Sequence, residues 1–226
     1  SESDDDDGSH TPKNSKSSKT QESSWLANIA ESVIKPFRGD APSGWLGHGD
    51  NADVDKPKMI QWLKEYGAKA KKVACGDQHT LILTTDGEVL VCGAADYGRL
   101  GTGDDVSVTV PTTIEVLEEI DIIDIAAGSN FSLALAADGK VYSWGVNSRG
   151  QLGLADSYMD VYSFEQFPEL VSTQEITGGE IKKVTACSSR AALLTDNSEV
   201  YQWGKGTMHV PTKVQTDHIT AKGVSI

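Results

Sequence analysis

Asp138-Gly-Lys-Val-Tyr-Ser-Trp-Gly145, running on into Val146-Asn-Ser-Arg-Gly-Gln-Leu-Gly153, is the stretch of this 226-residue chain that decides its fold. Asp138-Gly139 precedes an alternating run, Val141 to Gly145. An Asp-Gly pair between apolar runs is a strong hairpin signal, because a type I′ turn needs positive φ at both central residues. Gly150-Gln-Leu-Gly153 then reads as a sharp bend, with glycines that accept positive φ and a leucine that plugs the gap between neighbouring units.

The same signals recur along the chain. Gly44-Trp-Leu-Gly-His-Gly-Asp50, Gly98-Arg-Leu-Gly-Thr-Gly-Asp104 and Gly150-Gln-Leu-Gly-Leu-Ala-Asp156 are spaced by 54 and 52 residues. Each is followed by a proline (Pro57, Pro111, Pro168) and then by a small-residue strand: Val73 to Leu83, Ile125 to Leu135 and Val184 to Leu194. A turn and a second strand come next: Asp86-Gly87 into Val89 to Gly93, Asp138-Gly139 into Val141 to Gly145, and Asn197-Ser198 into Val200 to Gly204. One such unit cannot bury both faces. Radial stacking of units of about 50 residues does, so the predicted fold is all-β, a β-propeller.

Gly128 to Gly153 resembles, almost throughout, the regulator of chromosome condensation repeat, whose pattern is A-G-x-x-H-S/T-x-x-L followed by D-G-x-V-Y/W-x-W-G-x-N-x-x-G-Q-L-G. The resemblance covers roughly residues 44 to 226. It implies a seven-bladed propeller, of which about three to four blades are present here. The repeat positions are Gly87, Gly93, Gly98, Gly101, Gly139, Trp144, Gly145, Gly150, Gly153, Trp203 and Gly204. The chain starts at Ser1 and stops where the next Ala-Gly strand is due, which predicts part of a longer propeller.

Three segments are expected. Residues 1–24 contain no aliphatic or aromatic side chain, cannot offset the entropy of ordering, and read as a disordered acidic and Ser/Lys linker. Residues 25–38 place Trp25, Ile29, Val33 and Phe37 at helical spacing and predict a short amphipathic helix ended near Pro36. Residues 39–226 carry the propeller, with units near 44–97, 98–149 and 150–226.

Charge and cysteine usage narrow the function. The net charge of −13, from 20 basic and 33 acidic residues, opposes nucleic acid and anionic lipid, and the cluster Lys64, Lys69, Lys71 and Lys72 reads as a solvated face. No stretch reaches the length of a membrane-spanning helix. Cys75, Cys92 and Cys187 form neither a zinc pattern nor a disulfide framework, and they point to a reducing intracellular compartment, cytoplasmic, nuclear or organellar. They read as buried packing thiols, with Cys75 and Cys187 at equivalent positions aligned with Ala127, and Cys92 aligned with Trp144 and Trp203. Gly98 to Gly103 recurs in every unit, so it reads as architecture rather than as a phosphate-binding loop. The sequon at Asn130 falls within a strand and is discounted as a glycosylation site. No metal, cofactor or catalytic residue set is expected.

Two groups of residues are candidates for partner binding. Between Leu152 and Cys187 the chain is eight residues longer than between Leu100 and Ala127. The excess carries Tyr158, Met159, Tyr162, Phe164 and Phe167, residue types that anchor interfaces. They either dock a partner or pack down onto the blade. The second group rests on the resemblance: in the family, acidic and histidine side chains on one propeller face contribute to binding a small GTPase. That implies Asp50, Asp77 and His79, the last at a position held elsewhere by Phe131 and Ala191. The expected function is a non-enzymatic scaffold for protein partners. The alternatives are a guanine-nucleotide exchange factor for a Ran-like GTPase and a propeller module of a ubiquitin ligase or organellar assembly factor.

Overall fold

The computed structural model describes residues 44–52, 54–155, 162–206 and 208–215. The linker and the amphipathic helix expected over residues 1–38 lie outside the described residues. Among the described residues, twelve strands form three four-stranded antiparallel meanders. Blade one holds β1 (Ala70–Cys75), β2 (His79–Thr84), β3 (Val89–Gly93) and β4 (Val108–Thr113). Blade two holds β5 (Ile122–Ala127), β6 (Phe131–Ala136), β7 (Val141–Val146) and β8 (Phe164–Leu170). Blade three holds β9 (Ile181–Cys187), β10 (Arg190–Thr195), β11 (Val200–Gly204) and β12 (Met208–Lys213).

Every hairpin between the second and third strands closes in the same way, and it is not the two-residue type I′ turn. Thr84 N–H donates to the Glu88 carbonyl at 2.9 Å and Gly87 N–H to the Thr84 carbonyl at 3.3 Å. Gly87 and Gly139 sit at φ 85° and 86°, and Ser198 takes the same place at φ 67°. Asp86, Asp138 and Asn197 keep negative φ. This is the three-residue hairpin that ends in a single left-handed residue.

The glycine bends behave as their sequence suggests, with Gly98 and Gly101 at φ 69° and 74° and Gly150 and Gly153 at 70° and 72°. Each bend lies between the third and fourth strands of one blade, so the sequence repeat and the sheet are offset from each other. Leu100 is fully buried among Leu81 and Val91 of blade one and Ile125 and Ala134 of blade two. Leu152 fills the same role between Phe131 and Leu133 of blade two and Val184 and Leu193 of blade three. The core is therefore a series of apolar layers between blades, as radial stacking requires.

The other face of blade one is covered by a helix that sequence reasoning missed, α1 (Gln61–Tyr66). Trp62 and Leu63, with Ile60 just before the helix, pack on Ile82 and Leu90. At six residues α1 is too short to leave a clear period in the sequence. Asp124 of β5 links all three first strands: one carboxylate oxygen meets Lys72 Nζ at 2.5 Å and the other accepts Val184 N–H at 2.9 Å.

The register of blade three differs from the sequence reading by one residue. His79 pairs with Gly93, Phe131 with Gly145 and Arg190 with Gly204. Arg190, not Ala191, therefore holds the histidine position. Cys187 pairs with Arg190, whereas Cys75 pairs with Thr80, so the two thiols are not equivalent. Ala186, paired with Ala191, is the equivalent of Ala127, paired with Ser132, and the excess between blades is seven residues rather than eight.

Candidate protein-interaction surface

β8 is an outer strand in which Pro168 is the buried residue, leaving Phe164, Phe167 and Leu170 partly in solvent. It lies against the loop that follows β3. Gly103 N–H donates to the Gln166 carbonyl at 3.2 Å, and any side chain at Gly103 would run into the Phe167 ring. From the same loop Tyr97, held at φ 60°, meets Phe164 edge to face with ring centroids 6.3 Å apart. Such T-shaped pairs are favoured by the ring quadrupoles.

Tyr97 is held in place from behind. The Arg99 guanidinium lies 5.7 Å from its ring centroid and is itself pinned by Nε to the Asp96 carbonyl at 2.8 Å and by Nη1 to Gln78 Oε1 at 3.0 Å. Burial pushes the Arg99 pKa down, with Asp96 acting against that shift. Beside the pair, burial and the nearby Glu169 raise the Glu165 pKa. The result is a partly exposed Tyr97–Phe164 pair on a fixed frame, with Tyr97 53% exposed, and Phe167 (47%) and Tyr162 (78%) are exposed in and just before the same strand. Phe164 and Phe167 are partly exposed, 39% for Phe164, so neither ring is fully packed down onto the blade. Tyr158 and Met159 lie outside the described residues.

Sequence reasoning missed Tyr97. It occupies the variable position ahead of a bend, and nothing local links it to a strand of the next blade.

The residues implied by the resemblance differ in exposure. Asp50 is exposed and caps its own turn by accepting Ala52 N–H at 3.2 Å. Asp77 is exposed, and its backbone N–H reaches across to the Ser129 carbonyl at 3.0 Å. His79 is 1% exposed and offers no surface to a partner. Its Nε2 lies 2.9 Å from Ser132 Oγ, and that hydroxyl donates to the Arg99 carbonyl at 3.0 Å. The Ser132 proton is thus committed, and His79 Nε2–H must be the donor to Ser132. Burial, reinforced by Arg99, lowers the His79 pKa to about 3, so the ring is neutral at physiological pH.

The expectation of three buried thiols holds only for Cys92, whose pKa burial pushes up to about 12. Cys75 and Cys187 are exposed because they lie at the ends of β1 and β9 rather than within a layer. Ser132 of the sequon is fully buried. Among the described residues no group of three His, Cys, Asp or Glu side chains could hold a metal ion, and no helix is long and apolar enough to cross a membrane.

These features define an all-β propeller assembled from four-stranded blades, with a fixed aromatic patch at one blade junction. The regulator of chromosome condensation (RCC1) repeat matches residues 39–83, 86–135 and 138–192, and the chain belongs to that family. The mouse (Mus musculus) E3 ubiquitin-protein ligase HERC2 is 38% identical over 163 residues, 71% of this chain and 3% of HERC2. The Arabidopsis thaliana ultraviolet-B receptor UVR8 is 36% identical over 169 residues, covering 74% of this chain and 36% of the receptor. Among solved structures, Prp20p from Saccharomyces cerevisiae aligns with TM-score 0.59 and 22% identity, over 79% of this chain and 45% of Prp20p. Its structure is described together with its binding to Gsp1p and histones. The chain thus spans less than half the length of each of these relatives.

Proposed function

We propose that this chain is a non-enzymatic propeller module that holds a protein partner through the patch formed by Tyr97, Tyr162, Phe164 and Phe167. The observation that carries this reading is the Tyr97–Phe164 contact. It joins two blades, keeps both rings partly in water, and is backed by a buried arginine. Rigid, half-exposed aromatic rings on a stable frame are the commonest anchors of protein interfaces, because little conformational entropy is lost when they bind. One feature supports a module without its own chemistry: His79, the histidine at the repeat position, is neutral and buried. The likeness to HERC2 supports a place for such a module within a larger chain, as in a ubiquitin ligase.

Nucleotide exchange on a Ran-type GTPase is the competing reading. It rests on the likeness to Prp20p and on the exposed Asp77. Release of labelled GDP from a Ran-type GTPase separates the two. The scaffold reading expects the intrinsic rate with this chain added. Acceleration that is lost on Asp77→Ala would replace it with the exchange reading.

A further inference from the structure

Four loops at the junction of blades two and three enclose a cleft of about 530 Å³. Arg149, Arg190 and Lys205 line it with Ser129, Asn130 and Ser188, and its lining includes neither an acidic residue nor an aromatic ring. In a chain of net charge −13, three cations gathered without an acid are out of keeping with the rest of the surface. None of the three takes part in an ion pair among the described residues.

The frame around them is fixed by backbone hydrogen bonds between loops. Ser129 N–H donates to the Ser188 carbonyl at 2.9 Å, Lys205 N–H to Ser189 at 2.9 Å, and Gly206 N–H to Arg149 at 2.8 Å. Ser188 and Lys205 are held at φ 53° and 59°, the left-handed region that costs a non-glycine residue energy.

The neighbouring blades serve as an internal comparison. Arg190 occupies the register position of His79 and Phe131. Lys205 follows Gly204 as Ala94 follows Gly93 and Val146 follows Gly145, and Arg149 precedes its bend as Tyr97 precedes Gly98. The other blades are built with no cation at these three positions, so the repeat does not require these charges.

We propose that this cleft binds the carboxylate or phosphate groups of an acidic peptide segment. Guanidinium groups match such oxyanions through paired N–H donors, and serine hydroxyls and the Asn130 amide add neutral ones. A peptide is favoured over nucleic acid because the cleft has no ring on which a base could stack, and the field of the whole chain repels an extended polyanion. The segment Ser1-Glu-Ser-Asp-Asp-Asp-Asp-Gly8 of this chain carries the required chemistry and supplies the probe.

The experiment uses the full chain with Asp4→Asn, Asp5→Asn, Asp6→Asn and Asp7→Asn, so that its own acids do not compete. Fluorescence anisotropy follows four labelled probes: SESDDDDG, the same peptide phosphorylated on its second serine, SQSNNNNG as the neutral peptide with every acid replaced by its amide, and an oligothymidylate. The proposal expects one or both acidic peptides to bind and the neutral peptide not to. Affinity should fall about tenfold or more with Arg149→Gln plus Arg190→Gln, and measurably with Lys205→Gln alone, while Lys140→Gln changes nothing. Preference for the phosphopeptide would assign the site to phosphate, and equal binding to carboxylate. In a Cys75→Ser background the bound peptide should also slow alkylation of Cys187, which lines the cleft. No binding, equal binding of the neutral peptide, tighter binding of the oligothymidylate, indifference to the substitutions, or an unprotected Cys187 each overturns the proposal. None of these residues belongs to the Tyr97–Phe164 patch, so the outcome is independent of that reading.

Discussion

The indole Nε1 of Trp144 donates to the backbone carbonyl of Arg99 at 3.0 Å, tying blade two to the glycine bend of blade one. The same bond joins Trp203 to the Gln151 carbonyl at 2.9 Å. In blade one the Cys92 thiol takes the place of the indole, 3.5 Å from the Trp45 carbonyl. Each bend therefore presents the carbonyl of its second residue, and the next blade reaches back for it. This explains why Gly101 cannot carry a side chain: a Cβ there would lie 2.8 Å from the Trp144 indole nitrogen.

Trp144→Phe should keep the ring's apolar contact and lose the bond to Arg99. Because Trp144 is fully buried, a loss of about 1–3 kcal/mol is expected, read as a lower midpoint in denaturant unfolding with unchanged slope.

Two hairpin substitutions should act in opposite directions. A Cβ at Gly139 would meet no atom within 4 Å, so Gly139→Ala costs only the left-handed backbone, about 1 kcal/mol. Ser198→Gly relieves the same conformation at φ 67° and should raise stability by up to about 1 kcal/mol. Thermal melting of both variants checks the pair.

Asp124→Ala removes the acceptor of the Val184 N–H and should cost about 1–3 kcal/mol, because that donor is left buried and unpaired. The Lys72 half of the link adds less, since the lysine side chain is 35% exposed. Asp124→Asn keeps an acceptor and should cost less than the alanine variant in the same unfolding assay.

His79 makes blade one acid-sensitive. Its folded pKa, about 3, lies below the ordinary 6.5, so the unfolded chain binds the extra proton between those values. Stability from this group is full above about 6.5 and is lost progressively as the pH falls toward 3. His79→Phe, which copies Phe131 of the next blade, should flatten that part of the stability–pH curve. An unchanged slope would show that His79 is not the titrating group.

The parts legible in the sequence were local. The bends, the Asp-Gly turns and the alternating strands are each specified by a few adjacent residues, so the blades could be predicted from spacing alone. The register of blade three is not legible in the sequence, because Cys187 stands where Gly76 and Gly128 mark the other blades. The candidate surface was only half legible. Phe164 and Phe167 stood out as extra aromatics, but their partners Tyr97 and Gly103 come from another blade, and only the packed sheets bring them together.

The exposed rings are proposed to hold a partner rather than the blade. The most direct measurement compares proteins captured from cell extract by the chain and by its Tyr162→Ala, Phe164→Ala variant, with the melting temperature of both recorded. One or more specific partners should be reduced about tenfold or more, a hot-spot-sized effect, with melting unchanged. An unchanged set of partners together with a lowered melting temperature would contradict that proposal, and would assign Tyr162 and Phe164 to the stability of the blade.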